Sequence, residues 1–157
     1  MTRSTRWYTS AAVLGAAAAI AGTPASAQST PGDNAIAFRN YTLNCMGCHG
    51  ENGAGVPGKI PPLRGALGLF VHSDAGRRFI ISVPGASNSA LTDDELAAVT
   101  NLLLKRLSPE QLPRDFRPYT GTEIAAYRRP ALADVPAVRH KVISELQSLD
   151  IPIRYEY

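Results

Sequence analysis

An all-α chain is predicted by three features of these 157 residues. Apolar side chains recur at three- and four-residue spacing, helix-capping signals stand in front of those stretches, and no alternating polar and apolar run is long enough for a strand. At 45% hydrophobic and 18% charged residues, the composition suits one ordinary globular domain and excludes a large multidomain enzyme.

Residues 1–27 read as a cleaved signal peptide: Arg3 and Arg6 make a basic start, Ala11 to Gly22 an apolar run, and Ala25-Ser26-Ala27 a small-residue cleavage site. The run is too short to span a bilayer as a helix. The mature chain, from Gln28, is therefore expected to be periplasmic and not membrane-spanning. Loss of Arg3 and Arg6 lowers the formal charge from +3 to +1. The remaining Lys and Arg are scattered, without the basic stripe that a nucleic-acid binder needs, so nucleic acid is excluded as a partner.

Residues 28–33 are polar and carry Pro31 and Gly32, which predicts a mobile N-terminus. Asp33 or Asn34 can cap a first helix through Ala35, Ile36, Phe38, Tyr41 and Leu43 into Cys45. Between Gly50 and Gly68, six glycines and three prolines predict an irregular loop. Ser73 or Asp74 can cap a short helix through Arg77, Arg78, Phe79, Ile80, Ile81 and Val83, ended by Pro84-Gly85.

The strongest helix signal is Thr92-Asp93-Asp94-Glu95, a capping box with three acids at the positive end of the helix dipole. Leu96, Val99, Leu102, Leu103, Leu104 and Leu107 continue it past Lys105-Arg106. Prolines at 109, 113 and 118 interrupt the chain; further helices are expected near Thr122 to Arg128 and over Val135 to Leu149.

Cys45-Met46-Gly47-Cys48-His49 has the spacing of a c-type haem attachment site. Each thiol can add to one haem vinyl group, and the adjoining imidazole can then ligate the iron. A disulfide or thioredoxin-like pair is the alternative, but it requires a preceding strand where this chain predicts a helix. A zinc site from Cys45, Cys48 and two of His49, His72 and His140 lacks a second ligand pair at zinc-site spacing.

With its helix bearing Phe38 and Tyr41, the Cys45–Gly50 motif, the Gly53–Leu63 loop and the Leu91–Leu96 helix start, the chain resembles the class I cytochromes c over about Asn34 to Leu107. The resemblance implies a helical fold around one covalently attached haem c, with residues 34–107 as the cytochrome domain and 108–157 as a C-terminal helical extension. It implies attachment through Cys45 and Cys48, His49 as proximal iron ligand, and a carbonyl at Pro61-Pro62-Leu63 against the ligand's other nitrogen.

The chain departs from the family on the opposite side of the haem. Family members place a methionine ligand in the loop before the last core helix. The loop here reads Val83-Pro84-Gly85-Ala86-Ser87-Asn88-Ser89-Ala90, and the only methionines are Met1 and Met46. His72 could serve as distal ligand. Alternatively the site is open or holds water, with Asn88 or Ser87 nearby; His140, in the extension, is a third candidate. Arg77 and Arg78 could pair with the haem propionates. Phe70, Phe79, Ile80, Leu91 and Leu103 could wall off water.

The expected function is single-electron transfer between a periplasmic dehydrogenase or oxidase and a downstream acceptor, with no catalytic residues. One alternative is a haem protein whose open distal side binds O2, NO or CO or reacts with peroxide. Another is the cytochrome subunit of a stable oxidoreductase complex. The extension, with Phe116-Arg117-Pro118-Tyr119 and two amphipathic helices, is expected to pack back on the domain, and its apolar end from Ile151 to be docked.

Overall fold

The computed structural model describes Met1 and residues 30–154. The rest of the expected signal peptide and residues 155–157 lie outside the described residues.

The first helix, α1 (Pro31–Asn44), begins earlier than the sequence suggested. Thr30 is its N-cap: the hydroxyl accepts from the Asp33 amide at 3.3 Å, while the Asp33 carboxylate takes the Thr30 amide at 2.9 Å. Residues 31–33 are thus helical instead of mobile. Pro31 occupies the first helical position, where its missing N–H costs nothing and its fixed φ favours the helix.

A single turn, α2 (Met46–His49), follows directly. The glycine- and proline-rich stretch is irregular as expected as far as α3 (Leu67–Phe70), a short turn that takes in Gly68. Helix α4 (Asp74–Ser82) is capped by Ser73, whose Oγ accepts from the Gly76 amide at 3.1 Å. Pro84 ends α4 and also starts an unforeseen turn, α5 (Pro84–Ser87).

Helix α6 (Asp93–Leu107) carries the anticipated capping box between Thr92 and Glu95. After a tight turn over Pro109–Gln111 come α7 (Gly121–Arg128), capped by Thr120, and α8 (Val135–Ser148), capped by Asp134. Among the described residues there is no strand, only one isolated bridge between Val56 and Ile60. The all-α class is correct.

Helices α1 and α6 pack on each other, and Arg106 of α6 lies over the Phe38 ring of α1 at 4.5 Å. The extension folds back as expected: α7 lies against α6 and α4, and α8 against α4 and α3. One apolar core results. Tyr41, Ile81, Val99 and Leu104 are buried in it together with Ile124, Ile143 and Leu146, the last three fully inaccessible to solvent. At about 1.5–3 kcal/mol for each large aliphatic side chain, the extension contributes to stability as directly as the core helices do. Ile153 is buried too, and its carbonyl accepts from Gln147 Nε2 at 2.9 Å, so the end of the described chain is docked.

The irregular loop is fastened to the bottom of α6. Gly53, at φ +69°, sits where a Cβ would run into Leu107 Cδ1, and its carbonyl receives the amides of Leu63 and Arg64.

Candidate functional site

Helix α1 delivers the chain to Cys45, which caps α2, so Cys45 and Cys48 stand one turn apart at either end of a three-residue step. Neither thiol is bridged: Cys45 is half-buried and Cys48 exposed. Burial, and secondarily the neighbouring Cys48, pushes the Cys45 thiol up. Tyr41, almost wholly buried, donates its hydroxyl to the Gly50 carbonyl at 2.5 Å and fastens the far end of α2 to α1. The sequence reading placed Tyr41 only on an apolar face; a tyrosine nine residues before a helix-ending glycine carries no local signal of that bond.

His49 is half-buried, with Nδ1 3.2 Å from the Pro61 carbonyl. Burial lowers the imidazole's pKa, against the opposing pull of that carbonyl. A neutral ring that donates from Nδ1 leaves the Nε2 lone pair for a metal. Gly55 makes this geometry attainable. At φ +70° it donates its amide to the His49 carbonyl at 3.0 Å, and a Cβ there would collide with the Ile60 and Pro61 carbonyls. Pro62 and Leu63 follow, half-buried, with the Leu63 carbonyl bound by Ser108 Oγ at 2.9 Å.

The residues therefore fit haem c: two unbridged thiols at vinyl-reaching spacing, and an adjacent histidine whose second nitrogen is already occupied. The zinc alternative finds no support, since among the described residues no three His, Cys, Asp or Glu side chains form a cation cage.

Four candidates for the other side of the site have definite partners in the fold. His72 was a candidate distal ligand, but its Nε2 lies 2.8 Å from the Gln111 carbonyl and its ring lines a polar recess with Asp74, Asp115 and Arg117. Asn88, the weaker candidate, is exposed and accepts from Arg129 at 3.3 Å. Arg77 is buried. It makes a two-pronged ion pair with Glu123, both bonds 2.8 Å, donates to the Arg117 carbonyl at 3.0 Å and stacks on Tyr119 at 4.0 Å. Arg78 lies over Tyr127 at 4.4 Å. Both arginines turn to α7 and its lead-in because that segment brings a carboxylate and aromatic faces against α4. A sequence window around residue 77 cannot contain partners 40 or more residues away.

The apolar candidates Phe70 and Phe79 stack on each other with centroids 5.3 Å apart, inside the core with Ile80, Leu91 and Leu103. Ser87 is fully buried, and its hydroxyl donates to the Arg128 carbonyl. His140 is exposed on α8. The sequence reading missed Arg128, Glu123 and Tyr119, which look like ordinary residues of a solvated helix and its lead-in.

Known proteins resemble the chain in this region. The family model described as cytochrome c matches residues 35–75, which take in most of α1, the thiol pair, His49 and Pro61. Cytochrome c-552 of Thermus thermophilus is 30% identical over 106 aligned residues, covering 56% of this chain and 81% of the relative. A second cytochrome c-552 of the same organism is likewise 30% identical over 106 residues, covering 72% of its own length. A helical fold, paired thiols beside a carbonyl-held histidine, and relatives matched over most of their own length lead to one conclusion: the chain belongs to the class I c-type cytochromes, which hold haem covalently and carry electrons.

Proposed function

We propose that this cytochrome is an exported single-haem carrier, with residues 34–107 as its haem-binding unit and 108–157 as an extension. It passes electrons from a periplasmic dehydrogenase or oxidase to a further acceptor. Bound haem supplies a one-electron iron couple. Cys45 and Cys48 anchor the porphyrin. His49 would present Nε2 to the iron, with the Pro61 carbonyl at Nδ1 fixing the tautomer and strengthening the ring as a donor. The apolar surround, with Phe70 and Phe79 among its core residues, excludes water and so limits reorganisation during transfer. Partners meet the carrier through a small, transient contact, in keeping with the low net charge.

The observation that carries this reading is the His49–Pro61 contact beside two unbridged thiols. A second reading, a distal side open to CO, NO or O2, is favoured by the commitments of His72 to Gln111 and Asn88 to Arg129. Optical and EPR spectra of ferric and ferrous holoprotein, with and without CO and in His72→Ala, test both. A high-spin, CO-binding wild type unaffected by His72→Ala supports the open site. A low-spin wild type that becomes CO-reactive only in His72→Ala overturns it and restores His72 as ligand. Amino-terminal sequencing of the exported protein should begin at Gln28; an uncleaved leader would overturn the periplasmic assignment.

A further inference from the structure

The segment from Ser82 to Asp93 contains one short turn and little regular structure to absorb its carbonyl groups. A single side chain from the extension does so. Arg128, buried at the end of α7, donates Nε to Ser87 O at 2.9 Å and Nη1 to Leu91 O at 2.7 Å and Asp93 Oδ1 at 3.0 Å. Its Nη2 donates to Ser89 O and to Ser89 Oγ. A guanidinium has five N–H groups, and here each has an acceptor. Carbonyls 87, 89 and 91 alternate along the segment and converge on one planar cation. The surrounding bonds point the same way: Ser87 Oγ donates to Arg128 O, Ser82 Oγ to Tyr127 O at 2.8 Å, and the Leu132 amide to Ser82 O at 2.9 Å.

We propose that Arg128 is a positioning residue for the haem's distal side, reaching in from the extension to hold segment 83–91 by its backbone. This rests on the haem reading above, with the loop before α6 lying opposite His49 as the resemblance implies. The segment contains no methionine to tie it to iron, and it is fixed from behind instead. With its carbonyls drawn toward Arg128, the segment keeps one shape, and that shape governs what can approach the iron. The extension is thus part of the haem site, not an appendage to it.

Two holoprotein variants test this, Arg128→Met, which removes all five donors, and Arg128→Lys, which keeps the charge but at most three. Amide hydrogen exchange across 83–91 should accelerate about tenfold or more in Arg128→Met and less in Arg128→Lys, with exchange across 45–63 unchanged. The ferrous CO association rate should change by a similar factor while covalent haem content stays at the wild-type level. Faster exchange with an unaltered CO rate would reduce Arg128 to a structural residue and overturn the proposal. If wild type takes no CO, the open-site reading fails, and the midpoint potential decides for Arg128: a shift in Arg128→Met supports the proposal, none overturns it. If Arg128→Met does not accumulate, Arg128→Lys gives the same two-way readout at smaller amplitude.

Discussion

The thiol-and-histidine motif and the segment between α4 and α6 are held by contacts of very different reach. On the His49 side the fastenings of the ligand motif itself are short in sequence: Tyr41 to Gly50 spans nine residues, His49 to Pro61 twelve, and the Gly53 carbonyl holds Leu63, with α6 and Ser108 bracing only the end of the loop. On the other side, segment 82–91 is held by Tyr127, Arg128 and Leu132, with Arg128 reaching 37 to 41 residues back to Leu91, Ser89 and Ser87. The ligand motif closes on itself within about a dozen residues, whereas segment 82–91 takes its shape only after the extension has docked. Closing a long loop costs entropy that only distant, well-buried contacts offset, so the second side depends on the whole fold.

Replacing a fully buried leucine in either region breaks or sharpens this contrast most strongly. Leu146→Ala in α8 should cost about 3–5 kcal/mol, as should Leu104→Ala in α6, because both side chains are inaccessible to solvent. Urea titrations followed by both haem absorbance and far-UV CD should show one shared transition for each variant. Separate transitions in Leu146→Ala would mean that the extension folds and unfolds independently.

A smaller effect is expected at the ion pair that joins the two parts. Glu123→Gln leaves the buried Arg77 cation without its counter-charge, which should cost about 2–3 kcal/mol, below the value for a fully enclosed pair because Glu123 is 17% exposed. Burial acts against the Arg77 charge, and Glu123 together with Tyr119 and Tyr127 more than offsets it, so the Arg77 pKa is raised. Thermal unfolding should register the loss, while the ferric spectrum of the His49 side stays unchanged.

The smallest effect belongs to a purely local device. Thr92→Ala removes the cap of α6 and should cost about 1 kcal/mol. The Thr92 backbone amide, then its hydroxyl, holds the Glu95 carboxyl below its ordinary pKa. A lowered folded-state pKa gives stability that is present above the unfolded carboxylate range and fades as pH falls through the folded value. The gap in Tm between wild type and Thr92→Ala should therefore narrow from pH 6 to pH 3. An unchanged gap would assign the effect to helix propensity alone.

Local chemistry was legible in the sequence. The Thr92 capping box predicted α6 to the residue at its start, the Ser73 cap predicted α4, and the Cys45–His49 spacing marked the haem-attachment motif. The start of α1 was misread because Pro31-Gly32 resembles a breaker until Thr30 and Asp33 are seen to cap each other. The partners of Arg77 and Arg78 were not legible for a different reason. A cation on a helix offers itself equally to any anion, and Glu123 and the aromatic faces of Tyr119 and Tyr127 arrive only with the fold.

By itself, then, the sequence determined the longer helices and the Cys45–His49 motif, because caps, turns and a five-residue motif act over a few residues. Only the tertiary structure decided the fate of His72, Arg77, Asn88 and Arg128. Hydrogen-bond partners for those side chains lie 35 to 46 residues away along the chain. Which donor finds which acceptor over that distance is settled by how α7 and α8 pack on α4 and α6, not by any residue's neighbours in sequence.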